Sequence, residues 1–305
     1  WCRGTVAGRA RHPQPDSRAA GGAVDRLAGR AAELRHGGAR CDLPPDDARR
    51  AQGPDDARLA QGPGDARRAP PDASASMPRS LRDLPKCELH IHLEGAMRSE
   101  TLSELCAKHS VDVPEDTRGK MYDNFDAFAC AYRAACECLR ERDDVFRVVR
   151  EHLEDAVAAG CAWVEVAPSL LLWCQRFDGL EATVLLLLEA AAAAEDAVGG
   201  KAACAYIFSA ERHEPPENAV AMATVVGAIV ASGRHMIHGR AGIVGFGLHS
   251  AEPGNPPAPF AEAFRIAAAA GLASFPHAGE LAPGDGISGA DSVRSALDDL
   301  GARGI

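Results

Sequence analysis

The chain has 305 residues, a net charge of −10 and 46% hydrophobic residues, which suits one large domain with a substantial core. The acidic balance argues against the basic surface that nucleic-acid binding requires. The first stretch lacks the apolar centre of a signal peptide, and every apolar run falls short of the ~20 residues of a membrane span. We therefore expect a cytoplasmic protein whose partner is a small molecule, neither a nucleic acid nor a membrane.

Residues 1–76 differ in composition from the rest of the chain. They hold few aliphatic runs and a nine-residue repeat, PDDARRAQG, PDDARLAQG and PGDARRAP, from Pro45, Pro54 and Pro63. Such a segment cannot bury enough apolar surface to offset the entropy of ordering. We predict a disordered low-complexity tail, for which a misplaced start upstream of Met77 is one origin, and a separate folded region over residues 77–305.

From residue 77 onward, apolar runs alternate with helical patterns, which predicts βαβ units and a mostly parallel sheet. The predicted strands cover residues 87–93, 161–167, 203–208, 242–248 and 272–277. Helical patterns cover residues 99–109, 125–159, 180–197, 217–232, 259–270 and 290–300. Since a TIM barrel closes with eight strands, the α/β fold predicted is a partial (β/α)8 barrel with about five βα units. The alternative is an open doubly wound sheet, but its GxGxxG fingerprint is absent after the first strand.

Histidines and a glutamate stand near the carboxyl ends of the first and fifth predicted strands. His90 and His92 are two residues apart, so their side chains should share one face of the strand. Two imidazoles on one strand can bind zinc, although two core or surface histidines remain an alternative. His277 ends the fifth strand, and Glu280 follows as a candidate general acid and base. A glutamate just past a strand is also common as a solvated loop residue.

The wording and order of these motifs resemble the adenosine deaminase family. The sequence LPKCELHIHLEGAMRSETL starts at Leu84, and GIVGFGL and then HAGE follow far downstream. The resemblance spans residues 84–305, with weaker matches at WVEVAP and at Arg212-His213. It implies a barrel of the metal-dependent hydrolase type that binds one Zn²⁺ ion. The implied reaction adds water at C6 of a purine and releases ammonia, converting adenosine to inosine.

The resemblance also implies a role for each matching residue. His90, His92 and His277 would bind the metal, and His92 would also border the substrate. Glu280 would be the catalytic group that protonates purine N1. Glu94 would lie on the sugar side of the pocket, and Ser250 would stand where many members have Gly, at the loop that approaches N3.

Three departures from the family pattern qualify the resemblance. Members commonly carry DLAGDE after the fourth strand, where this chain has GLHSAE over residues 247–252. Glu94 replaces the Asp of many adenosine-acting members, while relatives that act on adenine or an aminofutalosine-type nucleoside can have Glu. The chain also stops at Ile305, before the family's GHG strand and later Asp pair.

The third departure predicts that the 305-residue chain alone neither folds stably nor deaminates adenosine, while its parent protein does. Rival hypotheses are adenine or aminofutalosine deamination, and a purine-binding pseudoenzyme without catalysis.

Overall fold

A sheet of five parallel strands forms the centre of the computed structural model, which describes residues 84–114, 121–122, 125–281 and 288–305. In chain order the strands are β1 (Lys86–Ile91), β2 (Cys161–Val166), β3 (Ala203–Glu211), β4 (Met236–Ile237), β5 (Arg240–Ala241), β6 (Ile243–His249) and β7 (Ala273–Pro276). The sheet has the order β1-β2-β3-β6-β7, and β4 and β5 form a separate antiparallel pair. The predicted tail, residues 1–76, lies outside the described residues.

Helices connect the strands and cover the sheet. They are α1 (Ser99–His109), α2 (Phe125–Cys138), α3 (Arg142–Ala158), α4 (Leu180–Ala197), α5 (Pro216–Ala231), α6 (Ala261–Ala269) and α7 (Gly289–Asp298). Local sequence explains their limits. Helix α4 is rich in Leu and Ala, which are good helix formers, and α7 begins with a capping box between Ser288 and Asp291.

The observed architecture confirms the predicted fold class. All five predicted strands are present and parallel, and together they make a half-barrel with helical connections. Strand β3 is longer than predicted, because the polar residues after Phe208 continue the strand to Glu211 and are buried. This extension carries a charged residue to the carboxyl end of the sheet, where active sites of barrel enzymes lie.

The hydrophobic core lies between the sheet and its helices. Strand β3 is buried on both faces, as parallel strands covered by helices usually are. Its Tyr206 and Phe208 rings stack at 5.5 Å, and Phe246 of β6 meets Phe264 of α6 edge-on. Among the described helices, none is both long and apolar enough to span a bilayer. The packed core therefore fixes the strand ends that carry the site.

Candidate metal centre and active site

The three histidines predicted as metal ligands come together at the carboxyl end of the sheet. Their candidate ligand atoms all lie within 4.8 Å of one another. Nε2 of His90 is 2.7 Å from Nε2 of His277. The His92 ring centroid lies 5.2 Å from that of His90 and 5.3 Å from that of His277. Strands β1 and β7 thus bring residues far apart in sequence into one cluster, which we call the three-histidine cluster.

His90 reaches the cluster through an irregular backbone. Its φ angle is 75°, and the pairing of β1 with β2 shifts register between Leu89 and Ile91. The extra residue makes a bulge, a feature that redirects side chains near active sites. A left-handed conformation costs a non-glycine residue about 1–3 kcal/mol. The alternation of side chains along a regular strand therefore explains only in part why His90 and His92 reach the same cluster.

The chemistry of the cluster suits a zinc ion. Burial, together with the neighbouring His277, lowers the pKa of His90 to about 4, and burial with His249 lowers the pKa of His92 to about 3. Both rings are therefore neutral at pH 7, with lone pairs available to a cation. His92 Nδ1 is buried and has no hydrogen-bond partner within the part of the chain that the structure describes. Three imidazoles that leave a coordination position open match the ligand sets of catalytic zinc sites.

Glu280 lies beside the cluster and contacts His277. Its Oε2 is 3.3 Å from His277 Nδ1, and its side chain is 57% exposed. This hydrogen bond with His277 lowers the pKa of Glu280, so the carboxylate is ionised at neutral pH. When Nδ1 of His277 donates to the carboxylate, Nε2 keeps its lone pair and faces His90. The predicted catalytic role of Glu280 stays a prediction.

Glu252 anchors the turn that carries Glu280. Its Oε1 accepts hydrogen bonds from the backbone N–H of Gly279 at 2.9 Å and from Ser292 Oγ at 2.7 Å. Its Oε2 accepts from the N–H groups of Glu280 at 2.7 Å and Leu281 at 2.9 Å. Burial alone would raise the pKa of Glu252, but these donors bring it below its usual range. Glu252 therefore positions the turn as an ionised carboxylate.

Two further features fix the same turn. Buried Arg212 donates from Nη2 to the carbonyl oxygen of His277 and from Nη1 to that of Asn255 at 2.9 Å. Gly279 has a φ angle of 76°, and a Cβ there would lie 2.9 Å from Val293 Cγ2. A side chain at Gly279 would meet both backbone strain and a clash. Sequence reasoning noted Arg212 only as a weak motif match, because its role depends on contacts distant in sequence.

Glu94 is enclosed on the β1–β2 side of the cluster and is 1% exposed. Its Oε2 accepts from Tyr132 Oη at 2.6 Å, and its Oε1 accepts from Ser169 N at 2.9 Å and Trp173 Nε1 at 2.7 Å. Burial raises the pKa of Glu94 despite these bonds. Protein donors thus engage both oxygens. The predicted contact of Glu94 with substrate stays a prediction.

Ser250 follows β6 directly and has a φ angle of 81°. Its Oγ lies 2.8 Å from Nδ1 of His213. A left-handed backbone favours glycine, which explains why Gly is common here in the family pattern. The proposed approach of this loop to purine N3 stays a prediction.

The structure also reveals a buried pair that sequence reasoning missed. Glu211 and His249 are register partners on β3 and β6, and Oε1 of Glu211 lies 2.7 Å from Nε2 of His249. The His249 ring centroid is 5.5 Å from that of His92 and 6.2 Å from that of His277. The available signal was two polar residues that end otherwise apolar, buried strands.

Comparisons with known proteins agree with this geometry. The family model described as adenosine deaminase matches residues 85–305. A Streptomyces virginiae protein assigned as an adenosine/adenine deaminase is 34% identical over 242 residues, which cover 74% of this chain and 64% of that protein. The chain therefore spans less than two thirds of this relative's length.

Two solved structures share the fold. The adenine deaminase of Arthrobacter aurescens matches with a TM-score of 0.57 at 28% identity, over 71% of this chain and 62% of that one. An amidohydrolase from Burkholderia ambifaria, solved with bound Zn, matches with a TM-score of 0.56 at 26% identity. The second match covers 73% of this chain and 58% of that one.

Proposed function

Because the chain belongs to the adenosine deaminase family, we propose that the whole protein containing it deaminates a 6-aminopurine by hydrolysis. Adenosine, converted to inosine and ammonia, is the first candidate substrate. The observation that carries the proposal is the three-histidine cluster, within 4.8 Å, with Glu280 beside His277. This arrangement supports the proposal, because the histidines would supply the metal ligands and Glu280 the proton-transfer group at one end of the sheet.

Each side chain has a distinct task in the proposed reaction. His90, His92 and His277 would hold one Zn²⁺ ion, and zinc when bound supplies a Lewis acid that makes water nucleophilic near neutral pH. Glu280, ionised in this structure, would take a proton from the attacking water and pass it to purine N1. Protonation at N1 makes C6 electrophilic, and the water oxygen would then bond to C6. The remaining proton of that oxygen would pass to the exocyclic amine, the C6–N bond would break, and ammonia would leave the 6-oxo product. Glu252 would hold this turn by accepting hydrogen bonds from the backbone N–H groups of Glu280 at 2.7 Å and Gly279 at 2.9 Å.

Adenine is a second candidate substrate, favoured by the environment of Glu94. Both carboxylate oxygens accept hydrogen bonds from Tyr132, Ser169 and Trp173. A ribose hydroxyl would have to displace one of these donors, whereas a free base makes no such demand. The names of the Arthrobacter and Streptomyces relatives include adenine as a substrate, which supports the same candidate.

Zinc content and substrate turnover together test the proposal. The full-length protein should contain one zinc per chain and change the ultraviolet absorbance of adenosine, adenine or an aminofutalosine-type nucleoside. His277→Ala should lose most of its zinc and about 10³-fold or more in rate. The matched control is His238→Ala, an exposed histidine of the β4–β5 turn with a side chain 47% exposed, which should change neither readout.

A different outcome would reject deamination. A full-length protein without zinc, without turnover of these three substrates and unaffected by His277→Ala would contradict the proposal. If that protein still bound purines, the pseudoenzyme hypothesis would replace it.

A further inference from the structure

The buried pair formed by Glu211 and His249 has no task in the proposed reaction. The two residues are 5% and 3% exposed, and they face each other from neighbouring parallel strands. Buried carboxylates and imidazoles are expensive to desolvate unless they are paired. The 2.7 Å contact between Oε1 and Nε2 satisfies one end of the imidazole.

The other end of the imidazole is unsatisfied. His249 Nδ1 is buried and has no hydrogen-bond partner among the described residues. Ser209, two residues before Glu211 on the same face of β3, also has a buried, unpartnered hydroxyl. Buried polar atoms are nearly always hydrogen-bonded in folded proteins, so an unpartnered one beside a candidate active site suggests a missing ligand.

The position of His249 indicates which ligand this is. Its ring centroid lies 5.5 Å from that of His92 and 6.2 Å from that of His277, directly beside the three-histidine cluster. It is outside the set of histidines whose ligand atoms lie within 4.8 Å of one another. It therefore borders the metal centre without joining it, where the heteroaromatic base of a substrate would lie.

We propose that His249 is a specificity-determining residue whose Nδ1 hydrogen-bonds a ring nitrogen of the bound purine base, while Glu211 holds the imidazole through Nε2. The inference rests on the proposed function, because it takes the ligand to be a 6-aminopurine or its 6-oxo product. The residue departs from the family pattern DLAGDE, in which the corresponding position is Ala. In this chain a side chain that can form hydrogen bonds, His249, therefore replaces the apolar Ala of the family pattern.

Two substitutions separate the two ends of the ring. His249→Gln places an amide near Nε2 and keeps the bond to Glu211, but it has no polar atom near Nδ1. His249→Asn places an amide near Nδ1 and gives up the bond to Glu211. We expect His249→Gln to weaken hypoxanthine binding about 10-fold or more, measured by titration calorimetry on the full-length protein, and His249→Asn to weaken it less. Zinc content should be unchanged in both variants.

The outcomes that overturn the inference are distinct. Unchanged hypoxanthine binding in His249→Gln would show that Nδ1 does not contact the base. Loss of zinc in that variant would identify His249 as a metal ligand instead. If His249→Gln does not fold, ¹⁵N NMR of histidine-labelled wild-type protein decides, because hypoxanthine should shift the Nδ1 resonance of His249, and an unshifted resonance would refute the inference.

Binding and turnover also separate this inference from its premise. A wild-type protein that binds hypoxanthine more tightly than His249→Gln, yet deaminates no 6-aminopurine, would retain the inference and reject the proposed function. A protein that deaminates adenine with the same KM and kcat in wild type and His249→Gln would reject the inference alone. A wild type that does not bind hypoxanthine would overturn the inference directly.

Discussion

Two buried glutamates flank the three-histidine cluster, and their pKa values are shifted in opposite directions. Glu94, on the β1–β2 side, accepts from three neutral donors, and burial raises its pKa. Glu252, on the β6–β7 side, accepts from three backbone N–H groups and one hydroxyl, with Arg212 Nη1 at 3.6 Å, and its pKa is lowered. The number of donors and the nearby cation, rather than burial alone, decide the direction in which each carboxyl pKa moves.

This difference in pKa implies that the two carboxyl groups stabilise the two sides of the site in different ways. Glu252 is an ionic anchor for the turn that bears Glu280, while Glu94 accepts hydrogen bonds from uncharged donors and so links helix α2 to the segment after β2. Replacing each carboxylate by its amide should therefore have unequal effects.

The largest expected effect is that of Glu252→Gln. The new amide group would point N–H donors at backbone N–H donors, so we expect a loss of about 3 kcal/mol in the free energy of unfolding. Activity should fall as well, because the Glu280 turn would lose its anchor. Urea unfolding measures the change, with Glu262→Gln as control, since Glu262 is exposed and pairs with Arg265 in the same helical turn. A loss below about 1 kcal/mol would contradict the ionic anchor.

At acid pH, the difference in unfolding free energy between the wild type and Glu252→Gln should become smaller. The pKa of Glu252 in the folded state lies below its ordinary value of 4.5. Its ionic contribution is therefore fully present above pH 4.5 and is lost as the pH falls through the folded pKa. Unfolding free energies measured from pH 7 down to pH 3 should differ by a constant amount above pH 4.5 and converge below it. A gap that widened in acid would show that Glu252 is protonated when folded.

Backbone strain at Ser250 is expected to have a smaller effect on the same side of the site. Ser250→Gly relieves the φ angle of 81°, whereas Ser250→Ala keeps that strain, and both remove the contact with His213. The glycine variant should exceed the alanine variant by about 1 kcal/mol in unfolding free energy. Thermal unfolding of the two proteins compares them directly. Equal stabilities would mean that the loop relaxes when the serine side chain is removed.

The smallest effect is expected for Glu94→Gln. The amide oxygen can still accept from Ser169 and Trp173, and its NH₂ can donate to Tyr132 Oη, which then donates to Ser169 Oγ, 3.0 Å away. We expect a change below about 1 kcal/mol in urea unfolding. A destabilisation equal to that of Glu252→Gln would show that the Glu94 and Glu252 carboxylates do not differ in the way described. Comparing the turnover of adenine with that of adenosine in this variant would also test whether the residue 94 side chain contacts the ribose.

Much of the fold followed from the sequence because its signals are local. Apolar runs alternating with helical patterns predicted all five sheet strands, and the HxH and HAGE motifs predicted which strand ends carry the cluster. Predicted and observed limits differ where polar residues extend a strand, as at Glu211. The β4–β5 hairpin was missed because two-residue strands carry almost no periodic signal.

The parts of the site that could not be predicted depend on distant contacts. Glu252 was noted only as the end of a departing motif, and its bonds to Gly279 and Leu281 appear only when β6 and β7 lie side by side. The left-handed backbone of His90 is equally invisible in sequence, since histidine rarely adopts it. Glu211 and His249 are ordinary residues until strand register places them opposite each other.

The contact between His90 and His277 also has a mechanical consequence for the sheet. These residues belong to the outermost strands of the order β1-β2-β3-β6-β7, which a flat sheet would hold about 19 Å apart, at ~4.8 Å per neighbour. Imidazole nitrogens 2.7 Å apart therefore require the sheet to curl, which brings these two strand ends closer together than a flat sheet would. A cation bound between His90 and His277 would link the two outermost strands. Removing it with a chelator should therefore destabilise the whole sheet as well as take away the proposed Lewis acid.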